Sequence, residues 1–361
     1  MTDEQYMSVA LKLAEKNLGD VFPNPTVGCV IVKDGAIIGK GCTAVGGRPH
    51  AEKLALQNTK EDTEGGTMYV TLEPCCHHGV TGPCTEEVIK SKVSRVVVAA
   101  MDPDPRVSGG GIRALEEAGI RVDQGVMREE AEALNVGFFT TRLRNRPYIT
   151  CKVATTLDGK IASFTGHSKW ITGEDTRRWV HELRAKYDAV MIGSNTLVAD
   201  DPLLTCRIPG LESKSPIRLV VDTQGKLNAD HNVAKTADQV DTWVVTNNRK
   251  HQLVENVKYL EVNSSNDSKV CLKDLTTKLV SRIGITRLLV EGGGVLVTQM
   301  LKRNLVDRLI ICRSGKILGN DGIPFVGNLA LESIGKCYVF KKAQIIDLSD
   351  DVVEIWDSVA K

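Results

Sequence analysis

Residues 67–84 decide the fold of the first half of the chain, and they read TMYVTLEPCCHHGVTGPC. The first six, Thr67–Leu72, form a short apolar run that predicts a buried strand. Cys75 and Cys84 follow this strand, and His50 and Glu52 precede it. Strand and helix patterns alternate on both sides of the run, which indicates a layered α/β fold.

The same segment supplies residue types that bind metal. One imidazole and two thiolates form the ligand set of a catalytic zinc that keeps one position for water, and such a zinc lowers the pKa of the water to about 7. We therefore predict that His50, Cys75 and Cys84 are metal ligands. Glu52 lies two residues from His50 and is the predicted catalytic proton carrier. A structural zinc, with a fourth ligand from residues 76–78, is the alternative.

Zinc deaminases typically carry His-x-Glu and Pro-Cys-x-x-Cys, whereas eight residues separate Cys75 from Cys84 here. This longer insertion, with Asn24-Pro25 before it and Asp102-Pro103-Asp104-Pro105 after it, resembles the bifunctional deaminase-reductases of riboflavin biosynthesis. The resemblance covers nearly the whole chain. It implies a cytidine-deaminase-like N-terminal domain in which Asn24 contacts the pyrimidine. The family usually has Arg or Lys at the position of Val80, so Val80 implies weaker binding of the substrate phosphate.

The second half of the chain shows a further α/β alternation. Its segments 157–160 (LDGK) and 199–207 (ADDPLLTCR) resemble the reductase half of the same family, whose fold is similar to dihydrofolate reductase. The resemblance implies a dihydrofolate-reductase-like domain with NADPH as its cofactor. The substrate contacts that it implies are Ser168, Arg184, Leu204, Arg207 and Glu291. The NADPH contacts that it implies are Ala154, Trp170, Thr196, Asp200 and Thr223.

A glycine triplet follows Glu291 and lies between a predicted strand and a predicted helix. The backbone N–H groups of Gly293 and Gly294 can therefore cradle the pyrophosphate of a dinucleotide, with an ordinary turn as the alternative. The triplet lacks the Gly-x-Gly-x-x-Gly spacing, which argues against a Rossmann domain. Residues 247–249 (NNR) are candidates for the contact with the NADPH 2′-phosphate, and a polar turn is again the alternative.

Lys152 is the leading candidate for proton donation, or for polarisation near the reducing sugar carbon, in the reduction. It lies on the predicted strand 148–154, where alternation places its side chain on the same face as Ala154. A charge on this largely apolar strand requires a partner, and Asp200 or the substrate phosphate could supply it. We predict that this chemistry needs no metal.

Three arginines and a proline interrupt the pattern at residues 142–147 (RLRNRP) and predict a solvated connector. We place the domain boundary there. Residues 1–145 form the predicted zinc-dependent pyrimidine deaminase domain, and residues 146–361 form the predicted NADPH-dependent reductase domain.

Composition narrows the classes of partner. The 361 residues include 46 Lys+Arg and 45 Asp+Glu, a net charge of +1, and only 4% are aromatic. Binding to nucleic acid calls for clustered cations and stacking platforms, so these values argue against it. We find no apolar run of about 18 residues and no signal peptide, and we expect a cytoplasmic enzyme without a membrane partner. Ten cysteines in a reducing compartment predict free thiols.

The predicted function has two steps. Zinc-hydroxide deamination converts 2,5-diamino-6-(5-phosphoribosylamino)pyrimidin-4-one to the uracil, and NADPH then reduces the ribosyl group to ribityl. The expected partners are small ribosyl-phosphate pyrimidines and further copies of the chain in a homo-oligomer. The first alternative is a nucleic-acid-editing zinc deaminase with a degenerate second domain. The second is a zinc-binding regulatory module without enzymatic activity.

Overall fold

The computed structural model describes residues 1–79, 82–248, 253–265 and 269–359. Val80 and Arg249, which the sequence singled out, lie outside the described residues. The chain divides into two compact units, Met1–Arg146 and Pro147–Lys361. Among the described helices, none combines the length and apolar composition needed to cross a membrane.

The first unit is a five-stranded sheet with strand order β2-β1-β3-β4-β5, and helices accompany it. Its strands are β1 (Gly28–Lys33), β2 (Ala36–Cys42), β3 (Thr67–Leu72), β4 (Arg95–Ala100) and β5 (Arg121–Gln124). Its helices are α1 (Asp3–Glu15), α2 (Ala51–Gln57), α3 (Cys84–Lys90), α4 (Gly110–Glu117), α5 (Arg128–Leu134) and α6 (Val136–Arg144). Strands β3, β4 and β5 are parallel, so their carboxyl ends share one edge of the sheet.

A tight hairpin joins β1 to β2. Its turn residues Asp34 and Gly35 have φ angles of 50° and 78°, both in the left-handed region. Asp-Gly tolerates this conformation, and the resulting turn matches the twist of the paired strands. The strands are antiparallel, and β1 also pairs with the buried strand β3.

The predicted connector at residues 142–147 is wrong for its first three residues, because helix α6 continues to Arg144. Arg142 lies over the Phe138 ring at 5.1 Å and forms a 3.5 Å ion pair with Asp104. Phe138 and Arg142 lie four residues apart, and side chains at this spacing stabilise a helix. The segment is therefore helical although its composition is polar. The helix ends at Asn145, whose φ is 49°.

The second unit contains a nine-stranded sheet with strand order β11-β10-β9-β8-β12-β6-β13-β16-β15 and a small second sheet that pairs β14 with β7. Its strands are β6 (Tyr148–Thr155), β7 (Lys160–Ala162), β8 (Ala189–Gly193), β9 (Ile217–Val221), β10 (Thr242–Thr246), β11 (Lys258–Glu261), β12 (Arg287–Val290), β13 (Arg308–Ser314), β14 (Ile323–Pro324), β15 (Phe340–Leu348) and β16 (Asp351–Ser358). Its helices are α7 (Glu174–Arg184), α8 (Ser194–Asp200), α9 (Asn232–Lys235), α10 (Leu272–Lys278) and α11 (Gly294–Lys302).

The strands from β11 to β13 run parallel to one another, and β16 and β15 are antiparallel additions at one side. The central strands β8 and β12 are almost entirely buried, as expected of parallel strands covered on both faces. In such sheets ligands bind beyond the carboxyl ends of the strands. The residues of interest in the second unit lie at this edge.

Candidate active sites

The structure brings the three predicted metal ligands together at the carboxyl edge of β3. His50 immediately precedes α2, Cys75 lies in the loop after β3, and Cys84 is the first residue of α3. Their ligand atoms all lie within 4.8 Å of one another. The Nδ1 atom of His50 is 3.3 Å from the Sγ atom of Cys84 and 3.7 Å from that of Cys75.

These separations fit a zinc ion. Zinc bonds of about 2.1 Å to nitrogen and about 2.3 Å to sulfur place tetrahedral ligand atoms roughly 3.6–3.8 Å apart. The side-chain hydrogen bond with Cys84 is the largest influence on Cys75, and the pKa of Cys75 is lowered to about 4 despite burial. The backbone N–H of Cys84 also donates to Cys75 Sγ at 3.3 Å. A thiolate is the form of cysteine that ligates zinc.

Glu52 lies in the first turn of α2 with only 3% of its surface exposed. Burial raises the pKa of Glu52, which brings a carboxyl closer to the range suited to proton transfer at neutral pH. Within the described residues, the cluster that could hold a metal contains His50, Cys75 and Cys84 and no fourth ligand. Three protein ligands are typical of a catalytic zinc rather than a structural one.

Asn24 packs against the loop that leads into His50. A Cβ atom added to Gly47 would lie 2.0 Å from Asn24 Nδ2, so the glycine permits this close approach. Gly47 also has a φ of +83°, which a side chain rarely adopts. The loop thereby brings the predicted pyrimidine contact to the chain segment that carries the histidine ligand.

Glu73 is a buried carboxylate that the sequence analysis did not select. Its Oε2 atom accepts hydrogen bonds from the N–H groups of Asp102 (3.2 Å) and Gly109 (3.0 Å). Its Oε1 atom accepts from those of Gly111 (2.9 Å) and Ile112 (3.2 Å). The side chain therefore ties the loop that carries Cys75 to the loop between β4 and α4. A charged residue directly after a buried strand was the available signal.

A cavity of about 470 Å³ opens at the carboxyl edge of the parallel strands in the nine-stranded sheet. Most of the predicted substrate and NADPH contacts line it: Lys152, Ala154, Ser168, Trp170, Arg184, Thr196, Asp200, Leu204, Arg207, Glu291 and Gly293. Thr223 and Gly294 do not belong to this lining. Thr223 lies in the turn after β9, and Gly294 begins α11.

The glycine triplet packs tightly against its neighbours. The Gly293 N–H donates to Thr196 Oγ1 at 3.0 Å, which joins the starts of α11 and α8. A Cβ atom added to Gly294 would lie 2.6 Å from the carbonyl oxygen of Pro324. Glycine is thus required at position 294 by the approach of β14.

Lys152 has a partner other than the predicted Asp200. Its Nζ atom lies 3.6 Å from Glu291 Oε2, and only 13% of the Lys152 side chain is exposed. Asp200 instead accepts a hydrogen bond from Ser168 Oγ at 3.2 Å. Glu291 lies at the end of the neighbouring strand β12, which pairs in register with β6. The expectation of an Asp200 partner is therefore wrong.

Arg184 also binds Glu291, through Nε at 2.6 Å and Nη2 at 3.1 Å. Burial would raise the pKa of Glu291, but the charges of Arg184 and Lys152 together lower it to about 2. The guanidinium that the sequence assigned to the substrate is thus already held by a carboxylate.

Two further cavity residues, His181 and Arg177, were missed by the sequence analysis. The Arg177 guanidinium lies 4.6 Å from the centre of the Trp170 ring and donates to the carbonyl of Thr172 at 2.7 Å. It therefore orients an indole that is 64% exposed. The helical positions of Arg177 and His181, on the same face as Arg184, were the available signal.

Comparison with known proteins defines the class. Residues 1–100 match the cytidine and deoxycytidylate deaminase zinc-binding region, and residues 147–353 match the RibD C-terminal domain. The chain is 42% identical to riboflavin biosynthesis protein RibD of Aquifex aeolicus, over 97% of each chain. It is 39% identical to the Escherichia coli protein of that name, over 98% of each chain.

Two solved structures superpose on nearly all of this chain. Acinetobacter baumannii RibD superposes with a TM-score of 0.90 at 35% identity, covering 99% of both chains. A diaminohydroxyphosphoribosylaminopyrimidine deaminase/5-amino-6-(5-phosphoribosylamino)uracil reductase from Thermotoga maritima gives 0.89 at 36% identity, covering 99% of this chain and 98% of that one. The fold and sites thus define a bifunctional enzyme that joins a zinc-binding deaminase domain to a reductase domain.

The chain belongs to the RibD family of riboflavin biosynthesis. This membership confirms the predicted cytidine-deaminase-like and dihydrofolate-reductase-like folds. It also confirms the deaminase and reductase activities over the nucleic-acid-editing alternative. Its cofactors are zinc in the deaminase domain and NADPH in the reductase domain.

Proposed function

We propose that His50, Cys75 and Cys84 hold the zinc, that Glu52 carries the proton, and that Asn24 contacts the pyrimidine. The observation that carries this proposal is the spacing of the three ligand atoms beside a buried carboxyl. We assign deamination to residues 1–145 and reduction to residues 146–361.

In the deaminase site, a bound zinc supplies a nucleophile at neutral pH by lowering the pKa of water. Glu52 accepts one proton from the attacking water and delivers it to the amino group at the pyrimidine C2. The bond between C2 and the amino nitrogen then breaks and ammonia leaves. The hydroxyl on C2 gives its proton to the ring nitrogen as the carbonyl of the uracil forms. The burial of Glu52 keeps bulk water away from this transfer.

In the reductase site, bound NADPH supplies the hydride, and reduction of the ribosyl group to ribityl consumes one proton. We assign that proton to Lys152, which Glu291 holds on the cavity wall. The Glu291 carboxylate lies 3.6 Å from Lys152 Nζ and so fixes the position of the lysine at the cavity.

The remaining cavity residues divide between substrate and cofactor. The proposed substrate contacts are Ser168, Arg184, Leu204, Arg207 and Glu291. The proposed NADPH contacts are Ala154, Trp170, Thr196, Asp200, Thr223, Gly293 and Gly294. Most of these residues line one cavity, and Ser168 Oγ donates to Asp200 Oδ1 at 3.2 Å, which supports adjoining sites for substrate and cofactor.

We also propose that the enzyme works in the cytoplasm as a homo-oligomer on small ribosyl-phosphate pyrimidines. The edge strand β15 supports self-association, because most of its residues are exposed and its outer backbone groups can pair with another strand. Light scattering of the purified chain measures the oligomeric state.

Metal analysis and two assays on one preparation test the site assignments. The wild-type chain should contain one zinc, release ammonia from the diaminopyrimidine and oxidise NADPH with the uracil. Cys84→Ser should lose the zinc and the ammonia release while NADPH oxidation with the uracil persists. Retention of zinc and full deamination by Cys84→Ser would contradict the ligand assignment.

A further inference from the structure

The segment between β7 and α7 forms part of the wall of the reductase cavity. We call residues 168–172 (SKWIT) the indole loop, and all five line the cavity. Each of these described residues lies outside the helices and strands, so the loop has no helical or sheet hydrogen bonds of its own. Its backbone conformation therefore depends on contacts that other segments make with it. The position of the exposed Trp170 ring depends on the same contacts.

Two cations bind three successive carbonyl oxygens of the indole loop. Lys316 Nζ donates to the carbonyl of Trp170 at 2.6 Å and to that of Ile171 at 2.9 Å. Arg177 Nη1 donates to the next carbonyl, that of Thr172, and the Arg177 guanidinium lies over the Trp170 ring. An ammonium has three N–H donors, so one lysine can serve two carbonyls. Lys316 thus holds the backbone of Trp170, and Arg177 holds its ring.

The chain that carries Lys316 is attached to residues 157–160 (LDGK), a motif that the proposed function does not use. The Leu157 N–H donates to the Lys316 carbonyl at 2.7 Å. Arg313, at the end of β13, donates from Nη1 to the Leu157 carbonyl at 3.1 Å. The backbone of Lys316 is therefore fixed beside this turn, and its side chain reaches from there to the indole loop.

Asp158 extends this attachment beyond Lys316. Its carboxylate accepts the backbone N–H groups of Leu318 at 3.3 Å and of Gly319 at 2.8 Å. A further hydrogen bond, from Thr156 Oγ1 at 2.6 Å, is the largest of the influences that lower the pKa of Asp158 to about 2. The carboxylate is therefore ionised at neutral pH and can accept all three donors.

We propose that Lys316 is a positioning residue for NADPH, because its ammonium holds the carbonyls of Trp170 and Ile171 and so fixes the indole at the cofactor site. The Asp158 turn in turn fixes the chain that carries Lys316. Among the described residues that line the cavity, Trp170 is included and Lys316 is not, so the lysine acts through the indole loop. The inference rests on the proposed function, which assigns Trp170 to NADPH, and deepens it.

The expected consequence is a loss of affinity for NADPH without a loss of chemistry. When the ammonium is removed, the indole loop can adopt several conformations, and NADPH must order it on binding, which costs conformational entropy. Once NADPH is bound, the hydride donor and the proposed proton donor Lys152 are in place as before. The KM for NADPH should therefore change and kcat should not.

Two variants of Lys316 and one of Trp170 test this role. Lys316→Met keeps an apolar side chain of similar length without donors, and Lys316→Arg keeps donors that can reach both carbonyls. Trp170→Ala removes the side chain through which Lys316 is proposed to act, and the double variant measures their coupling. Lys336→Met, which changes an exposed lysine of the same unit, is the matched control. Thermal unfolding and ammonia release confirm that each variant is folded.

Titration calorimetry with NADPH and steady-state reduction of the uracil substrate use the full chain. We expect Lys316→Met to bind NADPH about five- to ten-fold more weakly than wild type and to raise the KM for NADPH by a similar factor. Its kcat and its KM for the uracil should stay within about two-fold of wild type. Lys316→Arg and Lys336→Met should bind NADPH as wild type does. In the Trp170→Ala background, Lys316→Met should cause little further loss.

Asp158→Asn gives a second, independent variant. An amide oxygen can keep the Thr156 and Leu318 contacts, but an amide nitrogen cannot accept the Gly319 N–H. We expect NADPH binding to weaken by about three-fold, with ammonia release unchanged. Unchanged NADPH affinity in Asp158→Asn would show that the turn does not fix Lys316.

Three further results would overturn the inference. If Lys316→Met binds NADPH normally while Trp170→Ala does not, Lys316 does not position the indole. If the losses of affinity in Lys316→Met and Trp170→Ala add in the double variant, Lys316 acts by a route that does not pass through Trp170. If Trp170→Ala itself binds NADPH normally, the assignment of Trp170 to NADPH in the proposed function is wrong, which is a separate failure.

Discussion

Arg184 and Glu291 form a two-point ion pair on the wall of the reductase cavity, with N–O distances of 2.6 Å and 3.1 Å. Lys152 approaches the same carboxylate from the adjacent strand, at 3.6 Å. One buried negative charge therefore holds two cations, to which we assign roles in the reduction, at fixed positions. The pair connects a helix of the second unit to the carboxyl end of its sheet.

Replacing Glu291 with glutamine should leave Arg184 and Lys152 in a buried site without their counter-charge. We expect NADPH oxidation with the uracil substrate to fall at least ten-fold and stability to fall by about 3 kcal/mol. Deamination should continue at the wild-type rate. Glu182→Gln, on the exposed face of the same helix, is the matched control and should change neither quantity. Full reductase activity in Glu291→Gln would refute the role of this carboxylate.

The stability that Glu291 contributes should depend on pH. Its pKa is about 2 in the folded chain against an ordinary value of 4.5, so folding favours the ionised form. The contribution is complete above the unfolded pKa and is lost as pH falls from 4.5 towards 2. The difference in unfolding free energy between wild type and Glu291→Gln should therefore shrink over this interval. A difference that stays constant between pH 6 and pH 3 would contradict the assigned ion pair.

Glu52→Gln should keep its zinc and lose deamination, because an amide cannot accept the proton of the attacking water. We expect ammonia release to fall at least a hundred-fold, while oxidation of NADPH with the uracil substrate stays unchanged. Glu130→Gln, an exposed acid on α5, serves as the control. Zinc content by elemental analysis distinguishes loss of chemistry from loss of metal. Ammonia release at the wild-type rate would eliminate Glu52 as the proton carrier.

Glu73→Gln should weaken the attachment of the Cys75 loop to the loop before α4. An amide nitrogen cannot accept the two N–H groups that one carboxylate oxygen now receives. We expect a loss of about 2 kcal/mol in stability and a several-fold fall in deamination, with the reductase unaffected. Glu64→Gln, whose carboxylate is exposed, is the control. Unchanged thermal unfolding in Glu73→Gln would show that these hydrogen bonds contribute little.

Lys152→Ala should lose most NADPH oxidation with the uracil substrate while deamination persists. Lys302→Ala, an exposed lysine on α11, provides the comparison. Chelation of zinc should abolish ammonia release and leave NADPH oxidation intact, because the proton donor that we propose for the reduction, Lys152, is not a metal ligand. Loss of reduction on chelation, with the second domain still folded, would show that the reduction depends on metal.

Local sequence signals predicted those features that depend on neighbouring residues. The Asp34-Gly35 turn specified the hairpin through backbone conformation alone, and the types and order of His50, Cys75 and Cys84 specified the metal cluster. Contacts between residues far apart in the sequence could not be predicted from such local signals. Lys152 lies on β6 and Glu291 at the end of β12, so their pairing appears only once the order of strands in the sheet is known.

The same reason explains why Glu73 and His181 were missed. The partners of Glu73 are backbone N–H groups, which leave no trace in residue type. His181 was recognised as a cavity residue only when the structure placed it beside residues 205–207. Helix α6 was missed because the Arg142 side chain stacks on Phe138, which a list of charges does not reveal.

The most direct test of the account follows ammonia and NADPH together in one reaction that starts from the diaminopyrimidine substrate. A chain with both activities should oxidise one NADPH for each ammonia released. Glu52→Gln should stop both signals from this substrate and restore NADPH oxidation when the uracil is added. Ammonia release without NADPH oxidation, even after addition of the uracil, would contradict a bifunctional enzyme.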